Sequence, residues 1–456
     1  MAELPNIVLI DAHDLGTWLG SYGQRDVATP DLDRFAEQGA RFAQHFATAP
    51  ICIPSRTGIY AGRYHQSVGC YGQDAYDDDT VMIARHLRNC GYTTYLSGWN
   101  VPNDPVWAGY QVRLPFTPDS ERTRDFFTGR CPHRLEGGPF FAHFSLNLVH
   151  RPFGDTYSQS HARTIKVPPY LPDCDLVRRD LACLIYKIGL LDRAVGRVLD
   201  AIHDSDLEER TLVVFTTDHG PAIARAKHTL YDSGIRTALM IRWPGVVPED
   251  VEIRSLVSNV DLFPTLMTVL GLPVPAAVQG RSFAPLLVGG THEPRQAAYS
   301  AYTWGRRAGL WCYAPARSVR TVSHKLIRHY TSTPFYVDTD WLGRFGPDRD
   351  AVQAIYGAPA PTEELFDLRA DPWEQVNLAD DPAYSEMRGL LACRLDHHLA
   401  HIGDRIVKGA VPNREGKPDV PLWEQLPDRT YRLRRYDVHE SSDVPFGQPL
   451  RQSQSH

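Results

Sequence analysis

The sequence predicts an α/β fold: a large, mainly parallel β-sheet with helices on both faces, followed by a smaller C-terminal α+β subdomain. Three observations carry this. Apolar runs of strand length alternate with helical patterns over roughly the first 300 residues. Several of those runs are continuously apolar, as in strands buried on both faces. Beyond about residue 295 the pattern gives way to paired short strands and one helix.

The elements follow in order. Ile7 to Asp11 is an apolar run that ends in polar residues, and reads as the first strand. Thr29-Pro30-Asp31 starts a helix, with a capping threonine, a proline at the first position and acids in the first turn. That helix runs to about Gln38 and stops at Gly39. Thr80 to Cys90 reads as a helix ended by Gly91, and Tyr92 to Leu96 as the next strand. Phe140 to Leu146 is a strand. Leu181, Leu184, Ile188, Leu191, Val195, Val198 and Ile202 recur at helical spacing and predict a long amphipathic helix over about 178–203. Thr211 to Thr217 and Thr237 to Ile241 read as strands, and Val260 to Leu270 as a helix.

Val319 to Tyr330 reads as paired short strands, and Ser385 to His401 as a helix with His397, His398 and His401 on a solvated face. Residues from about 405 are rich in Pro, Arg and Asp. They predict an arm that wraps the subdomain or a neighbouring subunit. The expected division is 1–295, 296–404 and 405–456.

Composition narrows the function. The 456 residues are 43% hydrophobic and 22% charged, ordinary for a globular protein, with a net charge of -6. That charge, with no basic block, argues against nucleic acid as a partner. The eight cysteines show no C-x-x-C pair, which argues against a structural zinc site or a disulfide framework. No signal-peptide pattern opens the chain, and no apolar run is long enough to span a membrane. The expectation is a cytoplasmic enzyme with reduced thiols, acting on a small metabolite.

In doubly covered parallel sheets, sites form at the carboxyl ends of strands. His13 and Asp14 follow the first strand, and Asp218 and His219 follow Thr211–Thr217. Between them stands Cys52-Ile53-Pro54-Ser55-Arg56, continued by Thr57 to Gly62-Arg63. Pro54 and Ser55 predict a helix starting just after Cys52, which aims N-terminal amides at an anion. A buried structural cysteine beside a turn would leave Pro54, Arg56 and Arg63 unexplained.

The run resembles the signature of type I sulfatases of the alkaline phosphatase superfamily, C-x-P-S-R followed by a helix that closes in G-R. The resemblance implies that Cys52 is oxidised to formylglycine (3-oxoalanine) by a formylglycine-generating enzyme. The hydrated aldehyde is then the nucleophile. A serine that attacked sulfur would remain sulfated. A gem-diol attacks with one hydroxyl and expels sulfate with the other.

The resemblance also implies one divalent metal. Pro5-Asn6-Ile7, Ala12 and Leu19-Gly20-Ser21-Tyr22-Gly23 align the chain so that His13 and Asp14 fall at the family's Asp-Asp metal pair. His13 departs from that pattern. Asp11, on the same strand face as His13, is either a further ligand or the acceptor of a histidine N–H behind the metal. Phe215-Thr216-Thr217-Asp218-His219-Gly220 resembles the family's second metal segment. The implied ligands are Asp14, His13, Cys52 as formylglycine, Asp218 and His219. Oxygen-rich ligation ranks calcium first, and the histidines shift the balance toward manganese, with magnesium also open.

By the same resemblance Arg56 holds the gem-diol or its developing charge. Lys227, ahead of Thr229-Leu230-Tyr231, contacts sulfate. His150, at the end of the Phe140–Arg151 segment, contacts sulfate or protonates the leaving oxygen, and Asp218 is the base. Gly91 to Gly98 matches the second family signature, but Trp99 and Val101 replace the lysine and histidine that normally follow. Trp99 and Asn100 are then expected to line a pocket for an aromatic or less charged leaving group.

Phosphonate monoester hydrolases lack the same pair. The primary expectation is still hydrolysis of a sulfate ester or N-sulfate, arylsulfatase-like or sulfamidase-like. The alternative is a phosphonate monoester or phosphodiester hydrolase with promiscuous sulfatase activity. From another class, a non-catalytic binder of sulfated ligands remains, and metal binding without turnover would favour it. A homo-oligomer is left open by the C-terminal arm.

Overall fold

The structure is a computed structural model. It describes residues 4–72, 77, 79–98, 105–115, 122–131, 138–307, 310–334, 358–409, 423–425 and 431–433. Trp99, Asn100 and Val101 lie outside the described residues, as does most of the expected C-terminal arm.

The large sheet is built from β1 (Asn6–Ala12), β2 (Ala40–Phe42), β4 (Thr93–Gly98), β5 (Val112–Arg113), β6 (Phe140–Leu146), β7 (Thr211–Thr217), β8 (Leu239–Arg242) and β9 (Val251–Ile253). Their order is β5-β4-β6-β1-β7-β8-β2-β9. Neighbours are parallel except at β8, which runs antiparallel to both β7 and β2. β3 (His45–Phe46) pairs with β10 (Val257–Ser258) beside it.

Every residue of β1, β6 and β7 is buried. Val8, Ile10, Val213, Phe215, Ala142 and Phe144 face one apolar cluster with the helix Asp175–His203. Ile7, Leu9, Leu212, Val214 and Phe141 face another, covered by the helices Cys52–Ala61, Ile83–Asn89 and Leu262–Val269. The predicted doubly covered sheet is thus present.

The helix predicted from Thr29 runs Pro30–Glu37, but Thr29 does not cap it with its side chain. Asp192 of the long helix does so from outside, its carboxylate accepting the N–H of Leu32 at 2.8 Å and of Asp31 at 3.3 Å. The helix expected over 80–90 is shorter, Ile83–Asn89.

The smaller sheet is antiparallel, in the order β11 (Ala298–Arg307), β12 (Leu310–Arg320), β13 (His324–His329), β14 (Glu363–Asp367). Val319, Leu326 and Leu365 pack on Leu391, Leu395 and Leu399 of the helix Ser385–Ile402. His398 corrects the solvated-face expectation. It is buried, stacks on Tyr299 with 3.7 Å between ring centroids, and meets Tyr64 edge-on. Lys325 and Arg320 of this sheet pair with Asp232 from the β7–β8 connection, which joins the two sheets. No described helix is long and apolar enough to cross a membrane.

Candidate active site

The site forms where the carboxyl ends of β1 and β7 meet the first turn of the helix Cys52–Ala61. Cys52 is the first helical residue, and Pro54 sits in the first turn, where its missing N–H costs nothing. Ser55 Oγ donates to the main-chain oxygen of Asp218, which ties this helix to the end of β7. Asn259 completes the tie. Its Nδ2 donates to Ser55 O at 3.0 Å and Ser55 Oγ at 2.9 Å, while its Oδ1 accepts Thr48 N–H.

Two loops then lock together. Asp14 adopts a left-handed backbone, φ 52°. Its N–H donates to Asp218 Oδ1 at 2.9 Å, and Gly16 N–H donates to His219 O at 2.8 Å. Gly16 also has positive φ, and a Cβ there would stand 3.1 Å from Gly220 Cα. A Cβ on Gly220 would collide with Ser233 O.

His13, Asp14, Cys52 and Asp218 each turn one donor atom into a common space, all within 4.8 Å of one another. Cys52 Sγ lies 3.7 Å from Asp14 Oδ1 and 3.3 Å from His219 Nε2. His219 Nε2 is 3.3 Å from Asp14 Oδ1, and its Nδ1 is 2.8 Å from Gly220 O. Two carboxylates, one imidazole and the half-buried Cys52 Sγ converge there, a set that fits a divalent cation. His219 stands at the edge of this group. Asp11 is not among the converging donors, and its Oδ2 is 2.7 Å from Arg56 Nη1 and 3.0 Å from His143 Nε2.

Charge is balanced by close pairs. Lys227 Nζ is 2.7 Å from Asp14 Oδ2, and Arg56 Nε is 3.2 Å from Asp218 Oδ2. Burial by itself would raise the pKa of Asp14, but Lys227 and the surrounding histidines hold it well below the usual carboxylate range. Asp218 behaves alike: burial opposes its charge, and His219, Arg56 and His13 overcome that. Burial pushes the Cys52 thiol well up, more than Lys227 lowers it, so unmodified Cys52 is a thiol rather than a thiolate. Burial lowers the pKa of His13 and His219, favouring the neutral rings that can ligate.

His150 stands at the same end of the sheet, its ring centroid 6.0 Å from that of His13. Its Nδ1 is 2.7 Å from Arg151 O, which leaves Nε2 as the outward atom. Arg151 anchors this turn from below, bonding Ala222 O through Nε and both oxygens of buried Asp180 on the long helix.

Arg56 bonds Asp11, Asp218, Tyr60 and Ser145. Asp218 accepts the backbone N–H groups of Asp14 and His219 besides the bond from Arg56. Asn259, Ser145, His143, Tyr60, Tyr110 and Asp180 carry the site from behind. Apart from Tyr60, one helical turn after Arg56, each meets its partner through the fold rather than through a local motif.

The sulfatase family profile matches residues 5–272, and that of the N-sulphoglucosamine sulphohydrolase C-terminal region matches 224–357. The chain belongs to the sulfatase family and is a sulfuric ester hydrolase. An ulvan-active sulfatase of Formosa agariphila is 29% identical over 474 residues, covering 89% of this chain and 76% of that protein. Arylsulfatase A of Homo sapiens is 28% identical over 443 residues, covering 83% and 84%. A solved phosphonate monoester hydrolase of Agrobacterium radiobacter shares the fold with a TM-score of 0.66 at 20% identity, over 95% of this chain and all of that one.

Proposed function

We propose that this enzyme hydrolyses a sulfate ester or N-sulfate through a formylglycine formed from Cys52. The observation that carries the reading is the position of Cys52, first residue of a helix and in contact with Asp14 and His219. The Sγ atom stands in for an oxygen of the hydrated aldehyde. Asp14, His13, Asp218 and the residue 52 oxygen would hold one divalent metal, with His219 beside them. When bound, that ion supplies Lewis acidity that favours the ionised gem-diol and polarises the sulfuryl oxygens. Calcium ranks first, with manganese or magnesium as alternatives.

One hydroxyl of residue 52 attacks sulfur, forming an O–S bond as the S–O or S–N bond to the leaving group breaks. Its proton goes to His219 Nε2, the base nearest to residue 52. His150, as imidazolium, gives its Nε2 proton to the leaving atom. Loss of the second hydroxyl proton reforms the aldehyde and releases sulfate, and water then restores the diol. Lys227 and the helix N-terminus stabilise the sulfuryl charge.

A second reading, phosphonate monoester hydrolysis, is favoured by Trp99 and Val101, which remove a lysine and a histidine from the expected anion site. Trp99 and Asn100 are then candidate walls for the leaving group. Residues 1–295 form the catalytic unit in this reading, 296–404 a subdomain and 405–456 an arm suited to a subunit contact. Cytoplasmic placement is supported by the cysteines, none of which forms a disulfide.

The test is co-expression with a formylglycine-generating enzyme, mass spectrometry of the peptide carrying Cys52, and a panel of O-sulfate, N-sulfate and phosphonate substrates. Conversion with turnover of a sulfate is expected. A persistent thiol under conditions that convert a control sulfatase would sink the nucleophile assignment. Preferred turnover of the phosphonate would transfer the assignment to the second reading.

A further inference from the structure

Behind the ligand loops lies a buried polar layer that the reaction steps above do not use. Asp11 is fully buried, and its Oδ2 accepts from three side chains: Arg56 Nη1 at 2.7 Å, His143 Nε2 at 3.0 Å, and the Tyr60 hydroxyl. On the far side of the ring, His143 Nδ1 is 2.6 Å from the Tyr110 hydroxyl. His143 thus bridges Asp11 and the Tyr110 hydroxyl, one through each ring nitrogen. The register explains the convergence. In the β1–β6 ladder Asp11 lies opposite Ser145 and Leu9 opposite His143, and Tyr60 follows Arg56 by one helical turn.

Arg56 is therefore shared between two carboxylates, Asp11 through Nη1 and Asp218 through Nε. This matters for the charge of the site. The ligand carboxylates Asp14 and Asp218 are matched by the cations Lys227 and Arg56, each in direct contact. Ligating histidines are neutral. Among these four groups the charges cancel, and Asp11 adds one negative charge beside them.

We propose that Asp11 is a positioning residue of the metal site: with His143 and Tyr110 behind it, it shares Arg56 with Asp218 and adds one negative charge behind the ligand pairs. The inference rests on the metal reading above. It separates Asp11 from the ligands proper, whose donor atoms converge without it.

The test uses the full chain with Cys52 unconverted, so that metal affinity is read without turnover. Calcium and manganese are titrated calorimetrically into the wild type, Asp11→Asn, and the double variant Asp11→Asn/Arg56→Gln. Asp11→Asn is expected to weaken binding about tenfold or more. The double variant is expected to recover most of that loss, because the unopposed cation is gone. A double variant as weak as Asp11→Asn, or an Asp11→Asn affinity within about twofold of wild type, overturns the inference.

Tyr110→Phe guards against misfolding of the Asp11 variant. It removes one hydroxyl at the end of the chain of bonds and should weaken binding in the same direction by a smaller factor. If Asp11→Asn does not fold, unchanged affinity in Tyr110→Phe overturns the proposal. Absence of metal binding by the wild type is a separate result, seen in the first titration. It removes the metal reading, and this inference falls with it.

Discussion

Lys227 and Asp14 meet inside the site, Nζ 2.7 Å from Oδ2, with both side chains buried. The ammonium thus binds a carboxylate that the proposed mechanism also needs as a metal ligand. Lys227→Met leaves that carboxylate without its partner, and breaking a buried pair costs about 3–5 kcal/mol. The expected result is a clear fall in melting temperature in the presence of a chelator, with saturating calcium or manganese narrowing the gap to wild type. Activity should fall by about 10²-fold or more. A gap that metal leaves unchanged would show that Asp14 does not face the ion.

Arg151 is held by both oxygens of Asp180 and by Ala222 O, and its own carbonyl receives His150 Nδ1. Arg151→Met should destabilise the fold by about 3–5 kcal/mol, because Asp180 stays buried without its guanidinium partner. It should also lower kcat more than it raises KM, since His150 acts on the leaving group. Denaturant melts and steady-state kinetics on the same preparation check both. Loss of stability with kcat intact would rule out the role given to His150.

Asn259 acts at a distance of 204 residues from Ser55. Asn259→Ala strips partners from Ser55 and Thr48, and unsatisfied buried groups cost about 1–3 kcal/mol. Activity should fall as the helix start drifts from Asp218. Crystal structures of the variant with Cys52 still seated on His219, together with wild-type kcat, would contradict this.

Asp192 gives the clearest pH dependence. Burial pushes its pKa up to about 6 from an ordinary 3.8, against the lowering effect of the Leu32 and Asp31 amides. The folded protein therefore binds this proton more tightly than the unfolded chain. That stabilisation is full below about pH 4 and is lost as pH rises through about 6. Asp192→Asn removes the dependence, so wild type should lose stability relative to the variant between about pH 4 and 7. Urea melts across that range measure the difference, and a constant offset would refute the assignment.

The sequence made the centre of this molecule legible and left its frame obscure. β6 and β7 run between the residues their apolar patterns indicated, because a strand buried on both faces carries a dense local signal. The short strands β2, β5 and β9 at or near the sheet edges carry two or three residues each and too little pattern to read. The reversal of β8 was also invisible, since apolarity does not encode direction. At the candidate site, Cys52, Asp14, Asp218, His219, Lys227 and His150 each sit in a legible local motif, and the fold brings them to one end of the sheet. Asp11 was singled out, but its bonds to Arg56 and His143 depend on strand register. His398 was misplaced because a histidine reads the same on a wet face as against an aromatic ring.

The glycine-to-glycine contact of Gly16 and Gly220 has a consequence for which ions the enzyme accepts. The loop carrying Asp14 and the loop carrying Asp218 and His219 touch with no side chain between them to yield. In the metal site proposed above, a cradle made this way would resist expansion and rank cations by radius before softness. Retuning the enzyme to a larger or smaller ion would then begin with the spacing of these two backbones, ahead of any exchange of ligand side chains.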